Sequence, residues 1–277
     1  MNTTEVPAFS VLIPVYIKEN PDFFNESLKS VVNQTLMPAE ILIIADGPLT
    51  IELDQVIEDY KANYPGLFNV VRLPQNMGMG IAMTTAVKAC KYDYIARMDS
   101  DDIALPGRFA RQMEYLAENP GTDIVGSWME EFDKVPGDTK RIRKLPENHG
   151  DILTFAKQRC PFNHMTVVYK KEKVLQAGAY WEKKAYEDYH LWYQMIKSGC
   201  RMHNIPDILV HARIGNNMLS RRRGMMYLKA EQFFFRILKR DGFITSLQYY
   251  KVMATRFILR LVPQSLLGLV YKYYLRK

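Results

Sequence analysis

Through its N-terminal third the chain alternates apolar runs of strand length with amphipathic stretches of helical period. FSVLIPVY at 9–16 is continuously apolar, as a strand buried on both faces must be, and helix-like SLKSVVNQ follows at 27–34. EILIIAD at 40–46 repeats the unit with helical IELDQVIEDYKANY behind it, and FNVVRLP at 68–74 repeats it again with IAMTTAVKAC. YDYIARMD at 92–99 makes a fourth strand. Strands separated by helices of this length predict an α/β fold whose mostly parallel sheet is flanked by helices. Such sheets bind ligands beyond the carboxyl ends of their strands.

The residues at those ends carry chemistry. Pro14, Tyr16 and Glu19 close the first strand, Asp46 and Gly47 the second, and Asn76, Gly78 and Gly80 the third; Asp99-Ser100-Asp101-Asp102 closes the fourth. A solvated turn explains any single carboxylate here. Three within four positions are another matter, because like charges this close resist joint ionisation unless a cation offsets them. Oxygen ligands without His or Cys beside them suit Mg2+ or Mn2+, ions that keep waters and bind substrate phosphates through one or two carboxylates. The expected ligand is therefore a metal-bound phosphate ester. The glycines at 78 and 80 do not make a dinucleotide fingerprint, since Met83 stands where a third glycine belongs, and no P-loop is present.

Composition narrows the class. With 277 residues, 48% hydrophobic and 24% charged, the chain is ordinary globular protein, which excludes disordered, collagen-like and disulfide-scaffold types. Cys90, Cys160 and Cys200 are widely spaced with no CxxC pair, so neither a disulfide framework nor a zinc ribbon is expected, and a reducing compartment fits. The N-terminus lacks a basic n-region and reads as no signal peptide. Phe257 to Tyr271, the best membrane-span candidate, is interrupted by Arg260, Pro263 and Gln264.

Charge divides the chain. Residues 213–277 hold 14 Lys and Arg against Glu231 and Asp241, a net +12, while the rest of the chain is net −5. The expected organisation is a domain over 1–220 and a basic amphipathic helical tail over 221–277, with helices near 222–241, 245–261 and 264–276. Phe233, Phe234, Phe235, Tyr249, Tyr250, Tyr273 and Tyr274 interleave with the basic residues. Packing on the body and lying on an anionic membrane surface both fit this composition. Nucleic-acid binding fits worse, because the cations alternate with an apolar face rather than forming a polar stripe.

The ordered series FSVLIPVY, ILIIADG, LPQNMGMGIA, MDSDDIALPGRFARQMEYL, NPGTDIVGS, PFNHMTVVY and AYEDYHLWYQM resembles the family 2 glycosyltransferases, nucleotide-sugar-dependent enzymes of GT-A fold. The likeness covers about residues 9–220. It implies that Pro14, Val15, Tyr16, Glu19 and Asp46 line the nucleoside pocket, with Asp46 meeting the uracil, and that Asn76, Gly78, Ser100 and Arg213 complete the donor site. It implies Asp99 at the ribose or metal, Asp101 on the Mn2+ or Mg2+ that bridges the diphosphate, and Asp188 of the Glu187-Asp188 pair as catalytic base. Displacement at an anomeric carbon needs those functions, a base on one face and charge stabilisation on the other, and a single displacement inverts the centre. An acidic first turn favouring its own helix also fits Glu187-Asp188, and both roles are compatible.

Other residues are less specific. His164 fits a pocket wall or a packed structural histidine, and Arg221, Arg222 and Arg223 fit a diphosphate grip or a solvated helix start. His211 and Arg213 stand where the family often has an Arg and a following His, but Gly215 occupies the place of that His. Met83-Thr84-Thr85 replaces the family's Arg-Asn, and the Gln-x-x-Arg-Trp element of processive members is absent. The chain is similar to small bacterial enzymes of surface-polysaccharide assembly, including O-antigen, capsule and exopolysaccharide. That similarity implies single transfer of galactose, or second glucose, from a UDP-sugar to polyprenyl-diphosphate-linked N-acetylhexosamine. It also implies a cytoplasmic enzyme, peripheral on the inner membrane through its basic tail, with no nucleic-acid partner. A sugar nucleotidyltransferase would open with a Gly-rich loop rather than Pro14-Val15-Tyr16, and a non-catalytic adaptor leaves Asp99, Asp101 and Asp188 unexplained.

Overall fold

The computed structural model describes residues 6–183, 185–214 and 225–261, with side chains as far as Phe257. The chain divides into two compact units, Met1–Ala156 with Cys160–Asn216, and Lys157–Arg159 with Asn217–Lys277.

The first unit opens with β1 (Phe9–Val15), α1 (Pro21–Val32), β2 (Glu40–Ala45), α2 (Ile51–Asn63), β3 (Phe68–Arg72), α3 (Met79–Ala89) and β4 (Tyr94–Arg97). After these come β5 (Ile103–Ala104), α4 (Arg108–Glu118), β6 (Ile124–Phe132), β7 (Arg141–Arg143) and α5 (His149–Phe155). A 3-10 turn at His164–Thr166, β8 (Val168–Lys170), α6 (Lys171–Gln176), α7 (Glu187–Lys197) and β9 (Met202–Arg213) complete it. Local chemistry sets the helix starts. Asn20 caps α1 by accepting the Asp22 N–H at 2.8 Å, with Pro21 at the first helical position, and Thr50 caps α2 through the Leu53 N–H at 3.3 Å.

The strands form one mixed sheet in the order β3-β2-β1-β4-β8-β6-β9-β5, with β7 paired to β6. The four strands legible in the sequence are its parallel half. Beyond β4 the sheet adds antiparallel pairs β4–β8, β8–β6 and β9–β5, while β6 and β9 run parallel. The β6–β9 register slips between Ser127 and Met129, opposite Pro206, which has no N–H to give the ladder. Side-chain alternation builds a core on each face. Val11, Ile13 and Val15 of β1 pack with Phe24, Leu28, Ile57 and Phe109. Leu12, between them, joins Met83, Ala86, Tyr169 and Trp192 on the opposite face.

In the second unit the helices Met225–Arg240 and Ser246–Leu261 match two of the tail helices expected. They are joined through Gly242, whose φ of 73° suits glycine. Glu231 is fully buried and accepts from the Arg256 guanidinium at 2.6 Å, and Phe234, Phe235 and Leu238 are buried near it in sequence. Phe233, Leu247, Tyr250 and Phe257 are exposed. Arg221, Arg222, Arg223, Gly215, the 264–276 helix and the 220/221 boundary lie outside the described residues. Among the described residues no helix is long and apolar enough to cross a membrane.

Candidate active site

Because β1 to β4 run parallel, the loops after them gather along one edge of the sheet. Pro14 and Val15 are buried strand residues, and Val15 offers its carbonyl to the Asp46 N–H at 2.9 Å. Half-buried Tyr16 starts the loop and accepts the Glu19 N–H at 3.0 Å. Glu19 then reaches the fourth strand's loop, where it accepts from the Ser100 hydroxyl. Asp46 is only 8% exposed, and its carboxylate takes the N–H groups of Met77 at 2.6 Å and Gly78 at 3.1 Å. Asn76 donates to the Asp46 carbonyl at 3.3 Å. Asp46 therefore fastens the glycine turn to β2. Gly47 permits this, since a Cβ there would stand 2.7 Å from the Asn76 nitrogen.

The end of β4 concentrates charge. Asp99, Asp101 and Asp102 bring one carboxylate oxygen each within 4.8 Å of one another. The Ser27 hydroxyl donates to the Asp99 carbonyl at 2.8 Å, and Arg97 pairs with the Asp99 carboxylate. Arg97 is 2% exposed, and its Nε and Nη1 have no protein partner. Burial opposes its charge, but Asp99 more than compensates and raises its pKa. Arg108 donates to the Arg97 carbonyl at 2.6 Å. Burial, with the charge of Arg97, lowers its pKa to about 9.

Asp102 is a ligand candidate that the sequence reading left unassigned. It is buried, accepts the Arg213 N–H at 2.8 Å through Oδ1, and leaves Oδ2 without a protein partner. Burial, then the charges of Asp99 and Asp101, push its pKa well above the ordinary carboxylate value. An all-oxygen set with an orphaned buried carboxylate oxygen fits a hard divalent cation. Arg213 is built into the support of this loop. It donates to the Asp101 carbonyl at 3.1 Å and to Glu26 at 2.6 Å, with its guanidinium 3.7 Å and 4.5 Å from the Phe23 and Phe132 ring centres.

Glu187 and Asp188 open α7 after two left-handed residues, Ala185 (φ 74°) and Tyr186 (φ 68°). Such backbone in residues bearing a Cβ costs energy and is held by its surroundings. Glu187 accepts the Ala185 N–H at 3.0 Å. Half-buried Asp188 accepts the Tyr189 N–H at 2.7 Å, and the Cys160 thiol lies 3.6 Å from its other oxygen. Burial first, then Asp188, push that thiol's pKa well up, so Cys160 stays protonated and acts as a donor.

On the buried face of α7, Trp192 is fully buried among Phe162, His164, Tyr169 and Tyr180. His164 is packed here, 2.9 Å from the Tyr180 hydroxyl, and burial followed by the charge of Arg97 holds its pKa well below the usual value. His211 Nδ1 lies 3.0 Å from the Glu130 carboxylate. Tyr180 links the regions. Burial is the main cause that raises its pKa, and both Asp188 and Asp99 add to it. The substituted Thr84 also has a partner, accepting the Tyr180 N–H at 3.1 Å and donating to its carbonyl at 3.2 Å. Gly80 lets this segment close on α3, since a Cβ there would meet the Trp181 carbonyl oxygen at 1.9 Å.

Residues 10–182 match the profile described as Glycosyl transferase family 2. The chain belongs to that family. An uncharacterized glycosyltransferase of Haemophilus influenzae is 42% identical over 269 residues, covering 97% of this chain and 99% of that protein. A UDP-Gal:alpha-D-GlcNAc-diphosphoundecaprenol beta-1,3-galactosyltransferase of Escherichia coli is 36% identical over 277 residues, covering 99% of this chain and 98% of that one. Among solved structures, a mannosyltransferase from Pyrobaculum calidifontis in complex with GDP-Man and Mn2+ superposes with a TM-score of 0.61 at 16% identity. The match covers 99% of this chain and 89% of that one. At that identity the likeness speaks for the fold, the GT-A arrangement of a mixed sheet with flanking helices. Arg97, Thr84 and Cys160 were absent from the site as read from sequence, where Asp102 figured only as a member of the acidic group; for Arg97, a lone Arg in the apolar run of β4 was the available signal.

Proposed function

We propose that this glycosyltransferase moves galactose from UDP-galactose, with UDP-glucose as second choice, to a hydroxyl of an N-acetylhexosamine carried on polyprenyl diphosphate, with inversion at the anomeric carbon. The observation that carries the reading is the convergence of Asp99, Asp101 and Asp102 at the end of β4. The donor and acceptor follow the name of the Escherichia coli relative, which aligns over nearly the whole chain.

In this reading Pro14, Val15, Tyr16, Glu19, Asp46, Asn76 and Gly78 cradle the nucleoside, with Ser100 and Arg213 supporting the diphosphate loop. Asp99 and Asp101, with Asp102 behind them, would hold Mn2+ or Mg2+, which supplies positive charge to the departing diphosphate. Asp188 accepts the proton of the acceptor hydroxyl as its oxygen attacks the anomeric carbon on the face opposite UDP. An α-linked donor then yields a β-glycoside. Glu187 fixes the approach to α7 by accepting the Ala185 N–H. The basic aromatic tail would hold the enzyme on the anionic cytoplasmic face of the inner membrane, where a lipid-linked acceptor presents its sugar.

The test is a panel of UDP-hexoses with Mn2+, recording UDP release with and without a lipid-diphosphate N-acetylglucosamine acceptor. Release from UDP-galactose that rises on adding acceptor is the expected result. Acceptor-dependent release from another donor alone would overturn the sugar assignment, and release unaffected by acceptor would overturn the acceptor class. In the same preparation, failure to sediment with anionic vesicles would remove the membrane assignment.

A further inference from the structure

The β6–β7 hairpin carries charge that the reaction as described leaves unused. Between Asp133 and Lys144 stand Lys134, Lys140, Arg141, Arg143 and Lys144, against only Asp133 and Asp138. Asp138 is committed to the turn, accepting the N–H groups of Asp133, Lys134 and Val135 at 3.1, 2.8 and 3.2 Å. Among the described residues, none of the five cations forms an ion pair. Arg141 and Arg143 alternate along β7 and so share one face, opposite Glu131 and Met129 of β6. Lys144 follows with its ammonium 4.8 Å from the Trp128 ring centre.

This charge stands beside the acceptor side of the site. The Asn204 side chain donates to the Pro146 carbonyl at 2.8 Å and to the Pro161 carbonyl at 3.1 Å, tying the residues just after β7 to those just after Cys160. Cys160 in turn lies 3.6 Å from Asp188. The charge of Arg143 reaches the Cys160 thiol, where it opposes the larger effects of burial and Asp188.

We propose that Arg141 and Arg143, with Lys140 and Lys144 beside them, form a subsite that grips the diphosphate of the lipid-linked acceptor, an inference that rests on the acceptor class proposed above. A hydroxyl delivered to Asp188 leaves the diphosphate of the same molecule one sugar ring away, outside the donor pocket and in need of its own counter-charge. The planar guanidinium fork pairs two phosphate oxygens at once, which suits arginine to this role. Exposed Ile142 (47%) and Val135 (61%) give the same hairpin apolar surface for the first units of the lipid. The donor's diphosphate has its separate place at the carboxylates after β4.

The experiment compares wild type with the double variant Arg141→Ala/Arg143→Ala, and with Lys61→Ala as a remote control paired to Glu58 at 2.8 Å. Two acceptors are used, an N-acetylglucosamine diphosphate with a short lipid tail and the same lipid glycoside without the diphosphate. Binding is read by calorimetry with UDP present, and KM by UDP release. Wild type and the control are expected to bind the diphosphate acceptor about tenfold or more tightly than its neutral counterpart, and the double variant to lose that preference. The variant's UDP affinity and its affinity for the neutral acceptor should not change. No preference in wild type, retained preference in the double variant, or equal loss on both acceptors would overturn the subsite. A parallel loss of binding to phosphatidylglycerol vesicles free of the diphosphate lipid would reassign the hairpin to membrane contact and overturn it too. Calorimetric discrimination without sugar transfer would keep the subsite while sinking the donor assignment, so the two proposals fail separately.

Discussion

Asp99 and Asp188 are both carboxylates at the ends of secondary elements, yet they are held by opposite means. Asp99 faces the buried guanidinium of Arg97, and its own carbonyl is gripped by Ser27. Asp188 has one main-chain N–H and one thiol, a weak donor, in a segment of left-handed backbone. A guanidinium partner fixes a carboxylate in place, which suits the role proposed for Asp99, to organise a cation or a ribose. A thiol yields to a stronger donor, which suits the role proposed for Asp188, to receive an acceptor hydroxyl and take its proton. In the proposed mechanism, rigidity is thus concentrated on the donor side, and adaptability on the acceptor side.

The sharpest way to separate the two regions is substitution at each. Asp188→Asn is expected to lower transfer by about 10⁴-fold, the upper range for loss of a general base, while calorimetry finds metal-dependent UDP binding unchanged. Asp101→Asn should lose that binding as well. Matching losses of UDP affinity in the two variants would dissolve the distinction.

A smaller effect is expected from Arg97→Met. Removing one partner of a buried pair strands the other charge, but the Asp99 side chain keeps 26% exposure, so the cost should be about 2 kcal/mol, less than for a fully buried pair. Urea denaturation would measure it. Unaltered stability would mean that Arg97 does not support Asp99 as described.

The smallest effect is in pH. His164 has a pKa lowered by burial, so below the ordinary value of 6.5 the unfolded chain binds a proton that the folded chain resists. Stability should therefore fall as pH falls through that value, with His164 contributing at most about 1.4 kcal/mol per pH unit. The slope should flatten in His164→Gln, and identical slopes in the two proteins would show that His164 does not stay neutral in the fold.

The comparison also explains what the sequence disclosed. The parallel half was legible because each strand is a continuous apolar run followed by a helix, and the Asp99–Asp102 group because its members are neighbours in sequence. Helix α7 was legible through His190, Trp192 and Met195, which continue beyond its acidic first turn. Much of the rest of the sheet was not, since β5 and β7 are two or three residues long and β9 contains Pro206, all weak periodic signals. Contacts such as Cys160 with Asp188, or Thr84 with Tyr180, join residues far apart in the chain. No spacing rule announces a partner at that separation.

The close approach of α3 to the segment before α7 has a consequence for making hybrids of these enzymes. A segment grafted from a relative, cut anywhere between Tyr180 and Asp188, would arrive without the helix against which it was shaped. Gly80 leaves no room for a methyl group beneath the Trp181 carbonyl, and Thr84 supplies both hydrogen bonds to Tyr180. The heritable module is therefore discontinuous, and α3 has to travel with the loop even though some ninety residues of chain, by a rough count, lie between them.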